Sequence, residues 1–279
     1  MATTNNGGIE LYFDTFGLSV DGSDDPVILC IPGMGSQCII FADAFCYALV
    51  DRGFFVIRMD NRDIGLSTKT DESLEYTLSA MAADVTAVLD ATGVQKAVVL
   101  GMSLGGMIAQ QTAVEHPERL RALVLLASSC GDPELPSAAP EVIEALIKPG
   151  EATIEAQIES DIESRRLWSN PDWFDVDALR EFFAAIHTRN FEPGGGLRQY
   201  AAAMRTPSRL DALQQLDIPT LVVHGENDTL LLPEHGRRTA ELIPGAEYLE
   251  IEGFSHDFVY QMWPPLIEAT TALTARTFC

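Results

Sequence analysis

Lysine is scarce in this chain. Lys69, Lys96 and Lys148 are the only lysines among 18 cationic residues, set against 41 Asp and Glu, and the formal charge is −23 over 279 residues. Such a surface repels polyanions, which argues against nucleic acid and anionic membranes as partners. It suits a salt-rich habitat or simply a very soluble acidic enzyme. Also missing is any apolar run near the roughly 18 residues that a membrane helix needs. The first eight residues, Met1 to Gly8, carry neither a basic n-region nor an apolar h-region. No secretory signal is therefore expected, and the expected location is cytoplasmic. Cysteine is sparse too. Cys30, Cys38, Cys46, Cys130 and Cys279 are odd in number, with no C-x-x-C pair and no metal-ligand spacing. That pattern speaks against a disulfide framework or a zinc site, and Cys30 inside an apolar run reads as a small core residue. Internal repeats and low-complexity tracts are absent, and Gly194-Gly195-Gly196 reads as a flexible turn.

What is present is the alternation of short β-branched runs with helical patterns that a parallel α/β sheet requires. Strands are expected over 27–31, 54–59, 97–100, 122–127, 220–224 and 248–251. Residues 9–16 alternate apolar and polar positions and read as an antiparallel edge strand ahead of them. Leu78, Met81, Val85, Val88 and Leu89 form a helical stripe closed by Gly93. A second helix over 104–115 follows directly on a strand and stops before Pro117, and a last one is expected over 265–277. From Gly131 to about Arg209 the rhythm breaks into helical patterns alone, including the stripe Leu179, Phe182, Phe183, Ile186. An all-helical insertion between two strands reads as a cap over the strand ends, the competing reading being helices that cover a sheet face. The expected organisation is a core of 1–130 and 210–279 with a helical cap over 131–209.

The strongest local signal is Gly101-Met102-Ser103-Leu104-Gly105, lying between a buried strand and an amphipathic helix. A sharp strand-to-helix turn forces its central residue into strained backbone angles, and the flanking glycines remove side chains that would clash. Ser103 is then presented at the positive end of the following helix, where negative charge is favoured. The plainer reading is a helix-capping serine, which has no need of glycines on both sides.

A serine hydroxyl needs a base. His116 ends the nucleophile helix, His187 lies in the cap, His224 ends an apolar strand and reads as hydrogen-bonded in the core, and His235 opens an exposed helix. His256 follows the last strand and precedes the last helix, so its loop emerges at the same sheet edge as Ser103. It is the candidate base. The carboxylate that orients it is Asp228, on the preceding strand-to-helix loop, with Asp132 as competitor. Glu226 and Asp257 read as solvated or loop-capping. For the oxyanion hole two backbone N–H groups are needed. Leu104 supplies one and Met34, between Gly33 and Gly35, the other. Gly33, Met34, Trp173 and Phe254 are expected to contact substrate. Trp168, Phe174, Phe182 and Phe183 would either join an apolar pocket or form the cap's own core.

These elements together resemble the α/β-hydrolase superfamily over almost the whole chain. The segment Asp60-Asn61-Arg62-Asp63-Ile64-Gly65-Leu66-Ser67 looks like the family's D-x-R-G-x-G-x-S run, with Asp63 where glycine is usual. The stretches 55–63 and 218–228 are particularly similar to aclacinomycin methylesterase-like enzymes. The resemblance implies a mostly parallel sheet flanked by helices with a helical cap, and an acyl-enzyme route needing no metal or organic cofactor. It also implies a small-molecule carboxylic ester as substrate, and the apolar cap residues as a group point to one of small to medium size and moderately apolar. Lactone opening, C–C bond hydrolysis and perhydrolysis use the same triad and stay open. So does a ligand-binding receptor that keeps the triad geometry without turnover.

Overall fold

Short runs of Val, Ile and Leu that are buried on both faces suit the interior of a parallel sheet, whose ladders satisfy their backbone groups. The computed structural model describes residues 2–18, 26–71 and 73–277; Cys279 lies outside them. In chain order its strands are β1 (Ala2–Asn6), β2 (Ile9–Phe16), β3 (Val27–Ile31), β4 (Phe55–Met59), β5 (Ala97–Met102), β6 (Leu120–Leu126), β7 (Thr220–Gly225) and β8 (Glu247–Ile251). They form one sheet in the order β1-β2-β4-β3-β5-β6-β7-β8. The six from β4 to β8 across the sheet run parallel, while β1–β2 and β2–β4 pair antiparallel. Residues 9–16 are therefore antiparallel, as read, but they are not the edge. The edge is β1, whose Thr3 to Asn6 carry no apolar alternation; the Gly7-Gly8 turn, both at positive φ, folds it back onto β2.

The helices are α1 (Asp43–Val50), α2 (Leu78–Ala91), α3 (Leu104–Glu115), α4 (Pro140–Leu146), α5 (Ile154–Arg165), α6 (Val176–Arg189), α7 (Gly195–Arg205), the short α8 (Leu210–Leu213), α9 (Pro233–Leu242) and α10 (Trp263–Ala275). The two-residue period of the strands divides the core in two. Leu29, Ile31 and Val99 face α2 and α3, whereas Ile28, Cys30 and Val98 face α1 and α10. Cys30 is fully buried.

Helices α4 to α8 lie between β6 and β7, and polar bolts fix them to the sheet domain at several points. Arg189 reaches Asp60 (2.8 Å) and Gln37 (2.7 Å), and Gln199 takes the Gly35 N–H (2.9 Å) while donating to the Arg62 carbonyl (2.8 Å). Buried Arg209, at the end of this segment, donates to Gln110 (2.8 Å) and the Ser129 carbonyl (2.7 Å). Desolvation lowers its pKa to about 10. Gly195 and Gly196 are not a flexible turn but the first turn of α7. A Cβ at Gly195 would sit 2.2 Å from the Asp63 carbonyl oxygen, so the glycine lets the helix end meet the core backbone.

Asp63 shows what the departure from the family pattern does. It sits at φ 73 and is fully buried, a conformation that Asp tolerates better than most residues. Its carboxylate accepts from the Thr70 N–H (2.6 Å), the Thr70 hydroxyl (2.8 Å) and the Tyr76 hydroxyl, and pairs with Arg198 of α7 at 3.1 Å. A glycine there would have left α7 without this anchor. Asp63→Ala is expected to cost about 3 kcal/mol, because it strands Tyr76 and Arg198. The shift of the urea-denaturation midpoint measures it.

Candidate active site

The strand order places the site. From β3 the chain crosses to β4 on one side and then to β5 on the other. The loops leaving β3 and β5 thus part at their carboxyl ends, the crevice where open α/β sheets receive ligands. Ser103 stands at that point, with φ 54 and ψ −119. This strained turn is held by the Ser103 N–H donating to Leu126 O (2.9 Å) and the Ser128 hydroxyl donating to Ser103 O (2.7 Å). The glycines are sterically required. A Cβ on Gly101 would lie 2.1 Å from Gly105 O, and one on Gly105 would lie 2.1 Å from Ile31 O.

His256 Nε2 lies 3.0 Å from Ser103 Oγ, and its Nδ1 lies 2.7 Å from Asp228 Oδ2. The His256 N–H donates to the Trp168 carbonyl (3.0 Å), so the α5–α6 connection helps to seat the imidazole. Asp228 is buried, and its other oxygen accepts the N–H groups of Leu230 and Leu231, both at 2.9 Å. A second histidine supports it. His224 Nε2 is 2.7 Å from the Leu231 carbonyl and 3.3 Å from Asp228 Oδ2. Since a carbonyl can only accept, Nε2 carries the proton, and Nδ1 is buried without a partner against Gly236. Burial alone would raise the Asp228 pKa. The two imidazoles, His256 foremost, outweigh burial and hold it well below the usual carboxylate range.

The chain brings Ser103, His256 and Asp228 into one hydrogen-bonded line, while Asp132 points to Arg238 (2.9 Å). Gly33 lies against the nucleophile: a Cβ on it would come within 3.3 Å of the Ser103 Cβ. The Leu104 N–H opens α3, where no intrahelical acceptor precedes it. Among the described residues the Met34 N–H likewise meets no acceptor. Both N–H groups are therefore unspent, Leu104 directly after Ser103 and Met34 directly after Gly33.

Beyond Met34 a cavity of about 200 Å³ opens under the α4–α7 segment, walled by Met34, Trp168, Phe182, Phe183, Asp161 and His187 among others. Of the four expected substrate contacts, Met34 is on its wall, while Gly33, Trp173 and Phe254 are not. Phe254 is fully buried in the α10-side core with Ile251 and Leu266. The Gly253 turn (φ 71) sends this large apolar ring inward. Trp173 packs on the outside of the same turn, close enough that a Gly253 Cβ would meet its ring at 3.0 Å. It fastens the helical segment to the His256 loop rather than lining the cavity. Phe174 also packs inside that segment, with Ile158 and Ile162.

One further side chain differs from its sequence reading. Asp257 is not solvated: it is buried, with Arg165 and Ser169 both bonded to its carboxylate. His235, near the start of α9, is half-buried, and its ring bridges the Ser129 hydroxyl (2.8 Å) and the Pro136 carbonyl (2.9 Å). The support that His224 gives Asp228 also escapes sequence reasoning. The only sign of it is a histidine four residues before the carboxylate at a strand end.

Comparison with known proteins agrees with this geometry. Residues 26–261 match the family described as alpha/beta hydrolase fold. The chain is 33% identical to rhodomycin D methylesterase of Streptomyces peucetius, over 91% of this chain and 92% of that protein. Among solved structures, an N-acyl homoserine lactone degrading enzyme, Est816, is similar with TM-score 0.72 and 27% identity, covering 100% of both chains. An esterase from Rhodococcus sp. ECU1013 shares the fold at TM-score 0.79 and 21% identity, covering 98% of this chain and 97% of that one.

Proposed function

The chain belongs to the α/β-hydrolase fold family and is a carboxylic-ester hydrolase, and on that premise we propose that Ser103 is its nucleophile, His256 its general base and Asp228 the carboxylate that orients the base. The observation that carries this reading is the 3.0 Å approach of His256 Nε2 to Ser103 Oγ, with Nδ1 anchored on a buried, ionised Asp228. With Nδ1–H donated to Asp228, Nε2 is left as the lone pair that faces the hydroxyl.

In the proposed reaction Ser103 Oγ attacks the ester carbonyl as its proton passes to His256. The tetrahedral oxyanion rests on the Met34 and Leu104 N–H groups, aided by the positive end of α3. His256 returns the proton to the departing alcohol, which leaves the acyl group on Ser103. Water then repeats the steps in reverse and frees the acid. Gly33 and Met34 border the substrate. Residues 131–209 serve as cap over a core of 1–130 and 210–279, and the chain needs no cofactor for these steps. Trp168, Phe182 and Phe183 on the cavity wall favour a small to medium, moderately apolar ester. The methylesterase relative supports an ester of a small alcohol. The lactone-degrading structure makes cyclic esters the second class to try, since ring opening uses the same steps.

A fluorophosphonate probe tests the machinery. One adduct per chain is expected, on Ser103, in folded protein and not after denaturation; intact-mass and peptide analysis read it. An unlabelled Ser103 in folded protein sinks the assignment.

A further inference from the structure

The charged side chains on the cavity wall are all spoken for. Lys148 pairs with Glu151, Arg165 with Asp257, Glu192 with Arg198 and Asp161 with His187. An anionic substrate portion entering here would lose its hydration and find no free cation. The cavity thus suits a group without negative charge, and hydrogen bonding and shape remain to give it selectivity.

The hydrogen-bonding equipment is concentrated on α5 and α6. His187 Nε2 lies 2.6 Å from Asp161 Oδ2, and the other Asp161 oxygen accepts from Gln157 (2.8 Å). A carboxylate on Nε2 selects the tautomer with its proton there, leaving Nδ1 as an acceptor. Among the described residues Nδ1 has no protein partner. The ring is held in place by Phe183, stacked at 6.4 Å between centroids, and by Phe191 edge-on at 5.7 Å. A fixed imidazole with one spare lone pair, set among aromatic rings on a cavity wall, is a reader of an O–H group.

Two residues tie the cavity wall to the site. Met34, on its wall, follows Gly33, which lies against Ser103; and Trp168, also on its wall, takes the His256 N–H. We propose that the His187–Asp161 pair recognises a hydroxyl group, phenolic or alcoholic, on the non-reacting part of an uncharged ester seated in this cavity. The proposal rests on the ester-hydrolase reading above, and it assigns His187 and Asp161 to specificity rather than to bond cleavage. The rival role is structural, a strut joining α5 to α6.

The test compares methyl 3-phenylpropanoate with its three ring-hydroxylated isomers. In the unsubstituted enzyme at least one hydroxylated isomer is expected to exceed the deoxy ester about 10-fold in kcat/KM, mostly through KM, as one hydrogen bond provides. In His187→Leu and, separately, Asp161→Asn, that ratio should fall to about 1. A ratio that survives His187→Leu, the absence of any preference in the unsubstituted enzyme, or an equal loss for all four esters would overturn the proposal. If one variant fails to fold, the other decides. If no ester is turned over, the hydrolase reading fails instead, and calorimetric binding of the same four esters to Ser103→Ala protein then decides the hydroxyl preference without catalysis.

Discussion

Ser103→Ala should lose at least ~10,000-fold in kcat on any ester the enzyme accepts, with folding and ester binding retained. The size follows from what is removed. Without Oγ there is no acyl-enzyme, and His256 is left to activate water with no attacking group held in place. Triads behave as units in which deleting the nucleophile costs nearly as much as deleting all three members. A loss of four decades corresponds to about 5.5 kcal/mol of transition-state stabilisation. Rate enhancement remaining above uncatalysed hydrolysis would report the oxyanion donors and the cavity, which the substitution leaves intact. The substitution is small at a half-buried site, and the turn's hydrogen bonds from Ser103 N and to Ser103 O are backbone bonds that alanine keeps. Initial rates with p-nitrophenyl and methyl esters, next to circular dichroism of both proteins, give the comparison. A variant within tenfold of the parent would remove Ser103 from the mechanism.

Asp228→Asn is the second large effect, expected at about 10,000-fold in kcat, while Asp132→Asn stays within a factor of two. An amide at position 228 no longer demands Nδ1–H from His256, so the imidazole is free to take the tautomer that points a proton, not a lone pair, at Ser103. It also removes the negative charge that stabilises the imidazolium formed during attack. Asp132 instead pairs with half-exposed Arg238, away from the triad. The reverse result, with only Asp132→Asn inactive, would transfer the role. The pH behaviour carries the same sign. Asp228 has a depressed pKa in the folded chain, so its stabilising interactions are fully present above the ordinary carboxylate range. They are lost only as pH falls through the depressed folded value. Loss of turnover on mild acidification is therefore not expected to arise from protonation of Asp228.

Much of this was legible without coordinates, because the relevant physics is local. Gly101, Ser103 and Gly105 are neighbours in sequence, and the turn they make is dictated by which residues lack a Cβ. The strands announce themselves because parallel strands are buried on both faces and must be nearly uniformly apolar, as 27–31 and 97–102 are. Once those strands are ordered, the loops carrying Asp228 and His256 have to emerge at the same sheet edge as Ser103.

Where side chains go when the determinants are distant in sequence is visible only in the folded chain. Phe254 and Trp173 are both aromatic and both near the His256 loop, yet one fills the core and the other clasps the turn from outside. The difference is set by the positive φ of Gly253, which no composition reveals. Thr3 to Asn6 form the edge strand for want of any apolar signal, because an outermost strand in this sheet needs only backbone partners from β2. Asp63 could be seen to break the family pattern, but not that Thr70, Tyr76 and Arg198 converge on its carboxylate. His187 and Asp161 lie 26 residues apart on separate helices and meet only when α5 packs on α6. The hydrolytic chemistry is written in short runs tied to strand ends and is legible there; the shape and polarity of the cavity under the helical segment come from helix packing, which depends on contacts that no local pattern encodes.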